Sequence, residues 1–189
     1  MKQISKRARV LTGGAALVAL GAGAFGAVSA NAAAPAAAPA AVPAAVVKAD
    51  AKNKNTTTST HLTIDAATKA AQAALDAAEK ENQRVSVAVV DRNGNTLVTL
   101  RGDGAGPQSY ESAEKKAYTA VSWNAPTTEL VKRLEQAPNL KDIPGTLFLG
   151  GGAPVTSKNA PIAGIGVAGA PSGDLDQKFA QAGVAALAK

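Results

Sequence analysis

Few side chains in this sequence are suited to chemistry, and the most distinctive is its single histidine, His61. The chain has no cysteine, so thiolate ligands, disulfides and iron–sulfur centres are excluded. Imidazole is then one of the few groups left to bind a transition metal or haem iron. A lone histidine is also often an ordinary solvated side chain. If the chain binds haem, His61 is the first candidate ligand.

Two carboxylates form a second candidate site in the segment Glu111-Ser112-Ala113-Glu114. Residues i and i+3 lie on one face of a helix, so Glu111 and Glu114 can converge on one hard cation. The same pattern also fits an exposed helix face on which Glu111 pairs with Lys115, one turn further on. The residues alone leave both interpretations open.

The N-terminal residues have the three-part pattern of a secretory signal peptide. Four basic residues and no acidic ones precede Val10, an apolar stretch follows to Val28, and small residues lead to Ala32. A membrane anchor is the alternative, but glycines interrupt the stretch and an A-x-A-like cleavage site ends it. We therefore expect residues 1–32 to be a signal peptide. The protein is then extracellular, free or associated with the cell surface, and without stable membrane insertion.

The basic charge of the whole chain comes mostly from this leader. The sequence has 20 basic and 14 acidic residues, and four of the basic ones precede Ala32. The mature chain therefore has 16 basic residues against 14 acidic ones, and no basic stripe with aromatic residues follows. This composition argues against nucleic acid as a partner.

Residues 33–60 form an Ala/Pro and then Lys/Asn/Thr-rich stretch without helical or strand periodicity. Such a segment buries too little apolar surface to offset its ordering entropy, so we predict a disordered tether. Residues 61–189 have the length of one typical domain.

Periodic apolar residues predict alternating helices and strands after His61. Thr63 is a good N-cap for a helix that runs to about Asn82, with Ile64 at the start of its apolar stripe. The other helices are predicted at Ser109–Trp123, Thr128–Gln136 and Asp174–Ala188, and the strands at Val85–Val90, Thr96–Arg101, Thr146–Leu149, Pro154–Thr156 and Ile162–Val167.

Two hairpins with helices before, between and after them favour an α+β fold over a doubly wound one. We expect a single domain with a central antiparallel sheet of about five strands, flanked by helices. Residues 164–169 match G-x-G-x-x-G, but a dinucleotide site needs this motif between a strand and a helix that opens a βαβ unit. Here the glycines occupy a strand, which indicates close packing of a helix or a neighbouring chain on the sheet.

Five sequence blocks follow one another between Leu62 and Leu187, at 87–94, 101–105, 113–120, 151–155 and 164–170 with Asp176. Their order resembles the GlcG/HbpS family. The leader, the tether and the opening Thr-His-Leu-Thr are similar to the secreted haem-binding branch of that family. The resemblance implies an α+β subunit that assembles into a homo-oligomer, expected to be an octamer.

The resemblance also implies roles for specific residues. In the secreted branch, the histidine at the start of the first helix is an axial haem ligand, which corresponds to His61. A threonine after the double-proline loop belongs to the same proposed site, and Thr146 matches it. An E-x-x-E pair like Glu111 and Glu114 is associated there with iron ions released from haem under oxidative stress. The expected cofactors are thus haem b and iron ions.

The resulting hypothesis is a secreted haem-binding accessory protein that senses haem and redox stress. By resemblance, it modulates a membrane sensor histidine kinase of a two-component system. One alternative is an enzyme-like protein that degrades haem or consumes peroxide, since bound haem with an open coordination position can turn over peroxide. Another is a small-molecule carrier that does not bind haem.

Overall fold

The computed structural model describes residues 49–188. The expected signal peptide (1–32) and residues 33–48 of the expected tether lie outside the described residues. Residues 49–60 are exposed and contain one short 3₁₀ turn, at Asn53–Asn55. Within residues 49–188, no helix combines the length and hydropathy needed to cross a membrane.

The described domain consists of two β-hairpins with helices before, between and after them, as predicted, although the predicted helix Thr128–Gln136 is a short α-helix followed by a 3₁₀ turn. The helices are α1 (Ile64–Glu79), α2 (Pro107–Trp123), α3 (Thr127–Leu130) and α4 (Gly173–Ala186), and the strands are β1 (Ser86–Asp91), β2 (Thr96–Arg101), β3 (Gly152–Ser157) and β4 (Ala160–Ala168). Two further 3₁₀ turns, at Val131–Glu135 and Pro138–Asp142, connect α3 to the second hairpin. This arrangement confirms the α+β fold class.

The described strands form one antiparallel sheet in the order β2-β1-β4-β3. Helices α1 and α4 pack together on one face, where Val87 and Val89 join the main apolar core. Helix α2 packs on the opposite face, over Ala88 and Val90. The alternation of strand side chains thus divides the domain into three layers.

Helix α1 begins where its N-cap residue predicts. The Thr63 hydroxyl accepts a hydrogen bond from the backbone N–H of Ala66 at 3.2 Å. The buried stripe consists of small residues and one leucine: Ala67, Ala70, Ala71, Ala74, Leu75 and Ala78. The assignment of Ile64 to that stripe is wrong, because its side chain is 57% exposed.

Helix α2 approaches the sheet closely over two glycines of β4. A Cβ atom at Gly166 would lie 2.0 Å from the carbonyl oxygen of Ala113, and one at Gly164 would lie 2.1 Å from that of Ala117. Residues 164–168 of the G-x-G-x-x-G segment therefore lie in a strand that accommodates a helix backbone, and only Gly169 follows that strand. The rejection of a dinucleotide motif agrees with this placement.

The sheet has four strands in the described residues, and the expectation of about five is wrong. The segment predicted as the strand Thr146–Leu149 does not pair with a neighbouring strand. Instead, the backbone N–H of Thr146 bonds to the carbonyl of Ile143, and that of Leu147 donates to the Thr119 hydroxyl on α2 at 2.8 Å. The short strand predicted around Pro154 is β3, the true partner of β4.

Candidate functional site

His61 lies directly before α1, and a neighbouring side chain approaches each of its ring nitrogens. Nδ1 is 3.7 Å from Oδ2 of Asp91, and Nε2 is 2.6 Å from Oγ of Ser59. The imidazole is 34% exposed, whereas the Asp91 side chain is only 9% exposed. His61 is thus an accessible ring beside a buried carboxylate, not a freely solvated side chain.

Asp91 is fixed by the turn between β1 and β2. Its Oδ1 accepts hydrogen bonds from the backbone N–H groups of Asn93 and Asn95 at 2.8 and 2.9 Å. Its Oδ2 accepts one from the Asn95 side-chain amide at 3.1 Å. Burial alone would raise the pKa of Asp91, but these hydrogen bonds and the nearby His61 hold that pKa below its ordinary value. A negative charge is therefore fixed beside the imidazole at neutral pH.

Glu111 and Glu114 lie in the first half of α2, and each has its own partner. Glu111 is exposed and pairs with Lys115 at 2.6 Å. The hydrogen bond from Lys115, together with its charge, lowers the pKa of Glu111. Oε1 of Glu114 accepts a hydrogen bond from the Thr99 hydroxyl on β2 at 3.1 Å. Within this chain, Glu111 and Glu114 therefore bind different neighbouring side chains.

An open cavity of about 420 Å³ lies beside α2. It is lined by Glu114, Lys115 and Tyr118 of α2, Val90 of β1, Gly94 of the turn, Thr96 of β2, and Pro144 and Gly145. Thr146 follows this lining directly, and its hydroxyl donates a hydrogen bond to the carbonyl of Ile143 at 2.8 Å. The structure thus places Thr146 next to the cavity that Glu114 lines.

The predicted site residues fall into two groups. Glu111, Glu114 and Thr146 belong to α2 or to the loop beside it, whereas His61 precedes α1 on the other face of the sheet. Among the residues described, no hydrogen bond or ion pair joins His61 to the other three. Nor does that part of the chain contain a cluster of three or more His, Asp and Glu side chains arranged for a metal ion.

A buried ion pair, which the sequence analysis missed, links α2 to the first turn of α4. Nζ of Lys116 is 2.7 Å from Oδ2 of Asp176, and both side chains are 5% exposed. Nζ also donates to the carbonyl of Val167 at 3.0 Å, and the backbone N–H of Ala170 donates to Asp176. Burial raises the pKa of Asp176, and the charge and hydrogen bond of Lys116 only partly oppose that effect. Both residues lie in the sequence blocks quoted above, but spacing did not reveal their contact.

Comparison with known proteins identifies close relatives of this fold and sequence. A family model described as haem degrading protein HbpS-like matches residues 62–185. The crystal structure of an HbpS double mutant from Streptomyces reticuli is 73% identical, with a TM-score of 0.73, and the match covers 75% of this chain and 97% of that one. The crystal structure of a PduOC:heme complex is 29% identical, with a TM-score of 0.62, and the match covers 67% and 95% of the two chains.

A longer relative shares only part of its length with this chain. The corrinoid adenosyltransferase PduO of Citrobacter freundii is 31% identical over 121 residues, which are 61% of this chain but 36% of that enzyme. The chain thus spans about a third of this relative. The matched residues 62–185 contain all of the strands and helices α1 to α3. The chain therefore belongs to the HbpS-like branch of the GlcG family, as the order of its sequence blocks predicted.

Proposed function

We propose that this protein binds haem and that Nε2 of His61 is an axial ligand of the haem iron. The description of the family and the haem complex of the related PduOC protein support this proposal. The structural observation that carries it is the accessible imidazole of His61 beside the buried carboxylate of Asp91. Imidazole is a common axial ligand in haem proteins.

The residues around His61 fit a porphyrin chemically. Ile64, three residues further on and the first residue of α1, exposes an apolar side chain that a porphyrin face would cover. The absence of cysteine excludes attachment of haem through thioether bonds. We propose non-covalently held haem b as the cofactor. When bound, haem would supply redox chemistry to the site. A second copy of the chain would cover the part of the ring that one protomer leaves exposed.

Haemin titration of the mature protein tests this proposal. We expect a shifted Soret band for wild type and its loss in His61→Ala. Ser59→Ala is the matched control, because it removes the hydroxyl beside Nε2 but leaves the imidazole in place. It should retain binding. The proteins are prepared without a histidine tag, and an unchanged wild-type spectrum contradicts the proposal.

We further propose that Thr146 contributes to the haem site from a neighbouring subunit. One protomer places Thr146 and His61 on different faces of the sheet, so a shared haem would need two copies of the chain. A hydroxyl binds iron weakly, so Thr146→Val should alter the spectrum of bound haem more than its affinity. An identical spectrum for wild type and Thr146→Val contradicts this role.

For Glu111 and Glu114 we propose binding of iron ions. They are the only two glutamates three positions apart in this sequence, and α2 places them on one helix face. An iron ion would compete with Lys115 and Thr99 for their oxygens. We expect Glu111→Gln with Glu114→Gln to reduce ferrous iron binding. Glu129→Gln with Glu135→Gln is the charge-matched control, and an equal loss in both pairs contradicts the site.

The cellular role that we propose is sensing of haem and redox stress outside the cell. The signal-peptide pattern of residues 1–32 supports export. Modulation of a membrane sensor histidine kinase follows from the resemblance to the secreted branch. In a reconstituted assay, adding the haem-loaded protein should change the rate of kinase autophosphorylation. No change with either the haem-free or the haem-loaded protein contradicts this partnership.

Haem degradation is a second candidate function, which the description of the family favours. A degrading enzyme processes many equivalents of haem per protein chain, whereas a sensor loses at most the haem that it holds. The haem absorbance is recorded over time in the presence of excess haemin and a reductant or peroxide. This measurement distinguishes a haem-degrading enzyme from a sensor. If no more than one equivalent of haem per binding site is lost, the result favours the sensor function.

A further inference from the structure

Asp91, at the end of β1, lies beside the imidazole of His61. Three hydrogen bonds from Asn93 and Asn95 satisfy its carboxylate and fix its orientation. Oδ2, which receives only the Asn95 amide, is also the oxygen nearest Nδ1 of His61, at 3.7 Å. That distance is longer than a hydrogen bond, but an ionised carboxylate so close to the ring still favours a positive N–H dipole over a lone pair on the facing nitrogen.

This arrangement favours one of the two neutral forms of the imidazole. An ionised carboxylate only accepts hydrogen bonds, so it favours a proton on the nearer nitrogen, Nδ1. Nε2 then keeps its lone pair and accepts a hydrogen bond from the Ser59 hydroxyl, whose oxygen is 2.6 Å away. Both neighbours of His61 are therefore consistent with the same tautomer.

We propose that Asp91 is a positioning residue of the haem site, which holds His61 with its proton on Nδ1 and directs the Nε2 lone pair to the iron. This inference rests on the proposed ligation of haem by His61. In metal sites, a carboxylate behind a ligating histidine fixes the orientation of the ring and increases its basicity. A small movement of the His61 ring from 3.7 Å would complete a hydrogen bond to Asp91. Nε2 would exchange its contact with the Ser59 hydroxyl for the iron when haem binds.

The single histidine of the chain allows a direct test without haem. Protein labelled with nitrogen-15 only in histidine gives signals from one imidazole, and solid-state spectra do not depend on the size of the assembly. In spectra of the neutral ring, the two nitrogen shifts report which nitrogen holds the proton. We expect the Nδ1–H form in wild type. A dominant Nε2–H form overturns the inference. The test uses only the wild-type protein, so it does not depend on the folding of a variant.

Asp91→Asn provides the second arm. Its side-chain oxygen can still accept from the two backbone N–H groups, whereas its amide would face Nδ1 of His61 as a donor. We expect a shift toward the Nε2–H form, about tenfold to a hundredfold weaker haem binding and a more positive iron reduction potential. Asn95→Ala is the matched control, because it perturbs the same carboxylate without changing its charge.

The outcomes separate this inference from the proposed function. If wild type fails to bind haem, ligation by His61 is wrong whatever the tautomer is. If wild type binds haem but Asp91→Asn retains its tautomer, affinity and reduction potential, the positioning role is wrong. If Asn95→Ala matches Asp91→Asn in all three measurements, Asp91 acts only through the turn and the inference is also overturned.

Discussion

Ser59, His61 and Asp91 show how a short surface segment and a strand end combine into one candidate ligand site. His61 supplies an accessible nitrogen, and Asp91 supplies a charge that the turn holds in place. In the sequence, His61 is conspicuous as the only histidine, whereas no spacing or motif connects Asp91 with it. Their contact was not predictable, because it depends on how the segment before α1 crosses the end of β1.

We predict that the contribution of Asp91 to the free energy of unfolding depends on pH. Its pKa in the folded chain is below the ordinary value of 3.8, so folding favours the ionised form. The contribution is present above the unfolded pKa and is lost as pH falls through the lower folded pKa. Asp91→Asn should therefore reduce the free energy of unfolding by about 1–3 kcal/mol at neutral pH.

Urea unfolding at neutral pH and near pH 3 checks this prediction. The difference between wild type and Asp91→Asn should narrow at the lower pH, because there the Asp91 carboxyl of the unfolded chain binds a proton that the folded chain binds less readily. Asn95→Ala is the control, since it removes a partner but no titrating group. A difference that stays constant between the two pH values contradicts the prediction.

Among the elements, α2 carries both proposed iron-binding carboxylates and the lysine of the buried ion pair. Its position depends on glycines rather than on large side chains, because Gly164 and Gly166 let its backbone approach β4. Periodicity predicted α2 and the first hairpin well. It misplaced the second hairpin, whose two-residue turn has positive φ at both Lys158 and Asn159. Lysine is unusual at a turn position with positive φ, so the residue types at 158 and 159 did not indicate a hairpin turn.

The close approach of α2 predicts that added volume at Gly166 is costly. In Gly166→Ala, the new methyl would meet the Ala113 carbonyl oxygen at 2.0 Å, and backbone cannot move as freely as a side chain. We expect a loss of about 1–3 kcal/mol in the free energy of unfolding, measured by thermal or urea denaturation. In Gly106→Ala, the methyl meets only the flexible amide of Gln108, so the loss should be smaller. Equal losses in the two variants contradict this packing account.

For the whole molecule, the expected homo-oligomer would cover surface features that remain exposed in a single chain. Ile64 and Leu149 expose large apolar side chains, at 57% and 54%. Strands β2 and β3 are the edges of the described sheet. His61 and Thr146 also lie on separate faces. These features favour a haem site that two copies of the chain complete.

We predict that the mature protein forms a homo-oligomer and that this assembly strengthens haem binding. Light scattering should give the mass of an octamer for the haem-free and the haem-loaded protein. Dilution below the concentration at which the assembly dissociates should weaken haem binding, since apolar cover is then lost. A monomeric protein that retains full haem affinity contradicts both parts of the prediction.

The Lys116–Asp176 pair constrains how this sequence can change over time. Losing either partner alone leaves a buried, uncompensated charge, at a cost of about 3–5 kcal/mol, whereas replacing both with apolar residues of similar volume is often neutral. Single steps away from the pair therefore pass through poorly stable proteins, although the end point is accessible. Relatives should then retain both residues or lack both, and sequences with only one should be rare.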